Sequence, residues 1–131
     1  MNILDENIIE GQVELLKRWR IGVHQIGADL SRKGIQDDEI IPLLLTLRRP
    51  TFFTRDLGFH NRKLCHQRYC IVAMAIDRYE VATFVRRFLR HPQLDTQAKR
   101  MGSIIRISSR GLQIWRLRTQ EELFLHWPPN R

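Results

Sequence analysis

Cysteine is scarce in this chain of 131 residues, and Cys65 and Cys70 are its only two. Two cysteines cannot build a disulfide framework or a complete cysteine zinc site. His66 adjoins Cys65, but no second pair of ligands follows at a usable spacing, so buried or idle thiols are the favoured interpretation. The five histidines are scattered, with no pair four residues apart on a predicted helix.

Long apolar runs and glycine-rich loops are also missing. No apolar run approaches the roughly eighteen residues needed to cross a bilayer. The first residues lack the basic region, apolar core and cleavage site of a secretory signal, so we expect a cytoplasmic protein without membrane contact. No glycine-rich turn follows the first predicted strand, which excludes a dinucleotide fingerprint and a nucleotide-triphosphate loop.

Acidic residues are sparse in the second part of the chain. Residues 1–60 hold 8 basic and 9 acidic side chains, whereas residues 61–131 hold 14 basic and 5 acidic ones. A folded basic face of this kind attracts polyanions through counterion release. A basic but merely solvated surface is the alternative. We favour contact with nucleic acid because the charges segregate.

Strand and helix patterns alternate along the chain. Hydrophobic residues make up 43% of the sequence and charged residues 27%, as in ordinary globular proteins. Predicted strands cover 1–4, 21–26, 51–54 and 70–76; predicted helices cover 8–19, 37–47, 80–89 and, more briefly, 93–101 and 120–127; a hairpin is predicted over 104–117. The alternation predicts a single α/β domain over 1–131, with a mainly parallel central sheet, helices on both faces and a C-terminal hairpin.

Three aspartates follow this pattern at informative places. Asp5 comes directly after the first predicted strand, Asp56 after the third, and Asp37 opens the helix between them as its predicted N-cap. Carboxyl ends of parallel strands and N-termini of the returning helices meet at one edge of a sheet, where ligands bind. The three carboxylates are therefore expected to converge. Hard oxygen ligands suit Mg²⁺ or Mn²⁺, which can support phosphodiester cleavage.

Each aspartate also has an ordinary interpretation. A lone Asp at a strand end is often a turn residue, and one at a helix start is often only a cap. Their joint placement favours a site. Asp38 is rotated by about 100° from Asp37 on a helix, so only one of the two is expected to face an ion. Glu6 is a further candidate ligand next to Asp5.

The segments around these acids resemble the PIN-like superfamily of ribonucleases, and in particular its short prokaryotic Mut7-C/VapC-like group. That pattern has an Asp after the first strand, an Asp three residues before an Ile on a helix, and Thr-x-Asp-x-x-Phe after the next strand. The matching residues are Asp5, Asp37, Ile40, Thr54, Asp56 and Phe59. They cover roughly the first 60 residues; the later part of the chain carries no such motif.

The resemblance implies a three-layer PIN-like fold and a metal-dependent RNA endonuclease. Asp5, Asp37 and Asp56 would bind Mg²⁺ or Mn²⁺, and Thr54 would order the site by hydrogen bonding. It also implies RNA as substrate, a role as the toxin of a toxin–antitoxin pair that is controlled by an antitoxin protein, and a homodimer. Longer family members carry another acid on an extra helix that this chain lacks, and Asp29 or Glu6 would have to replace it.

Basic residues are candidates for contact with RNA. Three surround or follow the Asp56 loop, and three others lie on one side of the predicted helix over 80–89. The candidates are Arg55, His60, Arg62, Arg86, Arg87 and Arg90. A solvated helix face is the alternative for the last three. Two other functions stay open: a catalytically weak nucleic-acid-binding or protein-interaction module on the same fold, and an unrelated small α/β protein whose acids are turns and caps.

Overall fold

A seven-stranded sheet organises residues 1–129, the part of the chain that the computed structural model describes. The spatial order is β2-β1-β3-β4-β5-β6-β7. The pairs β1–β2, β1–β3, β3–β4 and β4–β5 are parallel, and β5–β6 and β6–β7 are antiparallel. The strands are β1 (Asn2–Leu4), β2 (His24–Gln25), β3 (Thr51–Thr54), β4 (Cys70–Met74), β5 (Ser103–Ser108), β6 (Gly111–Arg116) and β7 (Leu123–Leu125).

Four α-helices accompany the sheet within these residues. They are α1 (Glu10–Arg18), α2 (Asp37–Thr46), α3 (Val81–Leu89) and the single turn α4 (Gln97–Arg100). None of the helices in residues 1–129 is long and apolar enough to cross a bilayer. The prediction of one α/β domain with a mainly parallel sheet and a hairpin is confirmed, since β5 and β6 pair through the short turn after Ser108.

Alternating side chains of the strands fill two separate cores. Leu4 and Phe53 join one cluster with α1 and α3, whereas their neighbours Ile3 and Phe52 join the other cluster with α2. All four of these side chains are fully buried. The sheet is therefore covered on both faces, which explains why its central strands are continuous apolar runs rather than alternating ones.

Two local predictions are wrong in detail. The second predicted strand pairs only over His24–Gln25, and residues 120–127 form no helix, because Leu123–Leu125 adds to the sheet as β7. A stretch this short gains little as an isolated helix. Pairing with the open edge of β6 instead satisfies backbone groups of both strands.

The start of α2 also differs from the prediction. Gln36, not Asp37, is its N-cap, and the carboxylate of Glu39 accepts a hydrogen bond from the Gln36 backbone N–H at 2.8 Å. Glu39 therefore reaches back to the cap as in a capping box. Asp37 occupies the first helical position, so its carboxylate does not serve as the N-cap of the helix.

Gly111 controls the attachment of β7. Its φ is +151°, and a Cβ there would lie 2.5 Å from the Leu125 carbonyl oxygen and 2.7 Å from the Phe124 ring. Gly111→Ala is expected to lower the free energy of unfolding by about 1–3 kcal/mol, because the β6–β7 pairing must open. Gly22→Ala is the control, since a Cβ at Gly22 meets nothing within 4 Å. Urea denaturation of both variants checks this, and equal stabilities would contradict it.

Candidate functional site

The order of the strands creates a crevice between β1 and β3. The chain passes from β1 to β2 on one side and then returns to β3 on the other side of β1. In open α/β sheets ligands bind at such a switch point, outside the carboxyl ends of the strands. Leu4 pairs with Phe53 across these two strands. The residues that follow, Asp5 and Thr54, therefore emerge side by side at the crevice.

A single hydroxyl group joins two of the predicted acids. Thr54 Oγ1 donates a hydrogen bond to Asp5 Oδ2 at 2.6 Å, and the same oxygen accepts one from the Asp56 backbone N–H at 3.0 Å. Thr54 is fully buried and Asp5 half-buried. Asp5 is also held by its backbone N–H, which donates to the Phe53 carbonyl at 2.9 Å. The predicted ordering role of Thr54 thus has a direct geometric counterpart.

The carboxylate of Asp5 has an altered acidity. Burial raises its pKa above the usual 3.8, while hydrogen bonds from the Thr54 hydroxyl and the Glu6 backbone lower it; the charges of Asp37 and Asp56 raise it further. The structure therefore places Asp37 and Asp56 where their charges act unfavourably on ionised Asp5. A bound cation would relieve that repulsion.

The other carboxylates of the site are exposed. Asp56 Oδ1 accepts a hydrogen bond from the Gly58 backbone N–H at 2.9 Å, as an N-cap of the short turn Leu57–Phe59. Asp37 and Asp38 lie at the start of α2 and line an open cleft of ≈ 420 Å³. Both are solvent-exposed, and the charge of Asp37 acts on Asp5.

The donor set fits a hard divalent cation by its chemistry. Carboxylate and hydroxyl oxygens are the ligands that Mg²⁺ and Mn²⁺ prefer. Within residues 1–129, no three His, Cys, Asp or Glu side chains are already gathered tightly enough to enclose an ion. The Thr54 hydroxyl instead contacts the Asp5 carboxylate and the Asp56 backbone N–H. Asp37 acts on Asp5 through its charge.

The two candidates for the missing family acid hold a loop instead. Both oxygens of Glu6 accept from the Gly34 backbone N–H, at 3.0 and 2.9 Å. Asp29 accepts from the Gln25 backbone N–H at 2.7 Å and pairs with His24 at 3.1 Å. Both acids therefore stabilise the segment between β2 and α2.

Sequence analysis missed the importance of Gln25. Its side-chain amide donates to the carbonyl oxygens of Asp5, Glu6 and Ile8, at 3.3, 3.3 and 2.9 Å. The amide therefore shapes the turn that carries Asp5 after β1. A half-buried polar side chain inside a predicted strand was the available signal, because such groups need hydrogen-bond partners.

The basic residues after β3 are engaged with the protein. Arg55 Nε donates to the Ile76 carbonyl at 3.1 Å, and His60 pairs with Glu122 at 2.9 Å. Arg62 lies over the Trp115 ring, 5.1 Å from its centroid. Arg55 and Arg62 stay exposed, whereas His60 is half-buried. Arg55 adjoins Asp56 in the sequence, but its hydrogen bond is to the segment after β4.

The arginines of α3 stack on aromatic rings. Arg86 lies 3.7 Å from the centroid of Trp19, and Arg87 lies 4.5 Å from that of Trp127. Both arginines are half-buried, and Arg90 is exposed. Stacking holds the guanidinium planes in place while leaving donors open to solvent. Arg86 and Arg87 therefore pack on aromatic rings, whereas Arg90 is a solvated side chain.

Comparison of the chain with protein-family models, with curated proteins and with solved structures gives no match. The resemblance to PIN-like ribonucleases therefore rests only on the short motifs around Asp5, Asp37 and Asp56.

Proposed function

We propose that this protein is a metal-dependent RNA endonuclease with a PIN-like site. The observation that carries the proposal is the shared hydroxyl of Thr54, which joins Asp5 to the Asp56 backbone at the switch point of the sheet. Asp37 adds a third carboxylate whose charge acts on Asp5. A structural turn or cap has no need for two further carboxylates whose charges act on a half-buried one.

Each residue has a distinct role in this proposal. Asp5, Asp37 and Asp56 would hold Mg²⁺ or Mn²⁺, with Asp38 and Glu6 as neighbouring acids. The ion supplies the chemistry of phosphodiester cleavage, namely activation of water and stabilisation of the leaving oxygen. Thr54 orients the Asp5 carboxylate through its 2.6 Å hydrogen bond. It is a positioning residue, comparable to the partners that orient metal ligands in other sites.

The expected setting follows from the resemblance. We infer RNA as the substrate, a cytoplasmic location, a homodimer, and an antitoxin protein that controls a toxic nuclease. The net charge of +8 supports a polyanionic partner, because it attracts RNA at moderate salt.

A catalytically weak binding module is the second candidate function. It is favoured by one observation: Glu6 and Asp29, the candidates for the missing family acid, are tied to the loop before α2. A site with fewer free acids would bind a divalent ion less tightly. Such a module would bind RNA without cleaving it.

Cleavage of labelled single-stranded RNA separates the two functions. The nuclease proposal expects products with Mn²⁺ or Mg²⁺ and none after chelation. Asp37→Asn should abolish cleavage, while Asp38→Asn, its exposed neighbour on α2, is the matched control. Metal-independent RNA binding with no products under any divalent ion would overturn the nuclease proposal and favour the module.

The arginines of α3 give a separate prediction on binding. Changing Arg86, Arg87 and Arg90 together to Gln should weaken RNA binding alike for all sequences. The log–log slope of affinity against salt should fall by about 2, since each phosphate contact on a single strand contributes about 0.7. Fluorescence anisotropy at several salt concentrations measures this. An unchanged slope would mean that the stacked arginines only pack on Trp19 and Trp127.

A further inference from the structure

A second cleft lies at the other edge of the sheet. It measures ≈ 660 Å³ and is lined by the segments that precede β3, β4 and β5. These parallel strands begin there, so the cleft is at their amino ends, away from Asp5. Its polar side chains include those of Arg48, Arg49, Gln67 and Arg68. We call this region the amino-edge cleft.

Positive charge in the amino-edge cleft has no local compensation. None of its lining residues is acidic. The ion pairs among residues 1–129 involve other cations, such as Arg32 with Glu39 and Lys99 with Asp95. Arg48, Arg49 and Arg68 therefore present guanidinium groups to solvent without a carboxylate partner. Guanidinium groups match phosphate oxygens in charge and in hydrogen-bond geometry.

A buried arginine adds to the potential of the cleft. Arg100 is 5% exposed and belongs to α4, between the lining residues Ala98 and Met101. Its Nε donates to Thr51 Oγ1 at 3.1 Å and its Nη1 to the Leu94 carbonyl at 2.9 Å. These hydrogen-bond partners are neutral, and the Asp95 carboxylate acts on Arg100 through its charge but forms its ion pair with Lys99. An anion nearby would be favoured by the charge of Arg100.

The helix dipole explains only part of this arrangement. The last turn of α2 ends at Thr46, and cations after a helix C-terminus interact favourably with its exposed carbonyls. Arg48 and Arg49 follow α2 and would interact with those carbonyls. Arg68 and Arg100 belong to other segments, and the dipole of α2 supplies no reason for their presence.

The backbone of Arg49 is strained. Its φ is +47°, a conformation in which glycine or asparagine is usual. Holding a large side chain there costs stability, which is common where the side chain has a function. The strain also offers a test that separates binding from folding.

We propose that the amino-edge cleft binds phosphate groups, supplied either by a free nucleotide or by an RNA strand. Arg48, Arg49 and Arg68 would contact the phosphate oxygens, and Gln67 would add an amide donor. The cleft volume lies in the usual range for small-ligand sites. This binding uses none of the crevice carboxylates, so it stands whether or not the protein cleaves RNA.

The test compares two double variants with the same loss of charge. Arg48→Gln with Arg68→Gln removes two of the three exposed arginines of the cleft, and Arg78→Gln with Arg110→Gln removes two exposed arginines near the carboxyl ends of the strands. The probes are pyrophosphate, adenosine triphosphate without metal, and a short single-stranded RNA, measured at one fixed salt concentration by calorimetry. We expect the cleft variant to lose about 10- to 100-fold in affinity and the control to change much less.

Each outcome has a defined meaning. Loss for all three probes assigns a nucleotide-sized phosphate site, and loss for RNA alone assigns the strand. Equal losses of affinity in both double variants would overturn the proposal, because binding would then depend only on the net charge of the protein. No loss of affinity in the cleft variant would overturn it as well. Asp5→Asn should leave phosphate binding in the cleft intact, so failure of the nuclease proposal is recognised separately.

Arg49→Gly provides a check against misfolding. Glycine relieves the positive φ, so thermal stability should hold or rise by about 2–4 °C. Pyrophosphate or RNA affinity should nevertheless fall. A variant that is at least as stable and binds as tightly as the native protein would show that Arg49 takes no part in the cleft.

Discussion

Asp5→Asn is expected to remove divalent-metal binding and RNA cleavage together. Asn keeps the shape and can still accept the Thr54 hydrogen bond, but it lacks the charge that holds a cation. The loss should exceed the roughly 10- to 100-fold caused by removing a residue that merely supports a metal ligand. Mn²⁺ titration calorimetry and the RNA cleavage assay measure the two effects on the same preparation.

Asp77→Asn is the matched control for that experiment. Asp77 also follows a parallel strand at the same edge and caps a short turn by accepting from the Tyr79 backbone N–H at 2.8 Å. It lies after β4, outside the crevice between β1 and β3. Native-like Mn²⁺ affinity in Asp5→Asn, or equal losses in both variants, would rule out the proposed site.

The metal-free stability of Asp5→Asn should depend on pH in a defined direction. Burial and the charges of Asp37 and Asp56 raise the pKa of Asp5, so its ionised form destabilises the folded state. The variant should be as stable as the native protein or more stable near neutral pH. The difference in stability between the variant and the native protein should disappear as pH falls through the raised pKa of Asp5 to below 3.8. At that pH the native Asp5 is protonated and therefore neutral, as Asn is. Thermal denaturation across this range tests the sign.

Thr54→Val is expected to damage both stability and activity. The buried hydroxyl donates to Asp5 and accepts from the Asp56 backbone, and Val replaces it with a methyl group of similar size. The unpaired groups should lower the free energy of unfolding by about 1–3 kcal/mol. Cleavage should fall by about 10- to 100-fold, because the Asp5 carboxylate loses its orienting partner.

Thr54→Ser separates the hydroxyl from packing. Serine keeps both hydrogen bonds and loses only one methyl group, worth about 0.8 kcal/mol. In Thr54→Val the pKa of Asp5 should rise further, since the Thr54 hydrogen bond lowers it. Mn²⁺ binding should then require a higher pH in the Val variant than in the Ser variant. Identical pH profiles for the two would show that Thr54 matters only for packing.

The sequence by itself determined the alternation of strands and helices, the mainly parallel sheet and the edge at which Asp5 and Asp56 follow their strands. The apolar runs at Phe52–Phe53 and Cys70–Met74 identify strands buried on both faces. The connection between them, residues 55–69, is long enough for a parallel crossover. Asp5 and Asp56 follow two of those strands, so connectivity alone places both acids at the same edge.

Only the tertiary structure decided how individual side chains are used. Thr54 becomes the common partner of Asp5 and Asp56 because β1 and β3 are neighbours in register, which their separation of about fifty positions along the chain does not reveal. Glu6 turns to Gly34 because the loop before α2 folds back over it.

The C-terminal segment and the amino-edge cleft also depend on contacts between distant parts of the chain. Leu123–Leu125 becomes a strand because the edge of β6 is open to it, a fact outside its local sequence. Arg48 and Arg68 share a cleft because β3 and β4 start side by side. Periodicity and connectivity are properties of the chain that the sequence carries directly. Proximity between distant side chains depends on strand pairing and loop closure, which only the folded structure specifies.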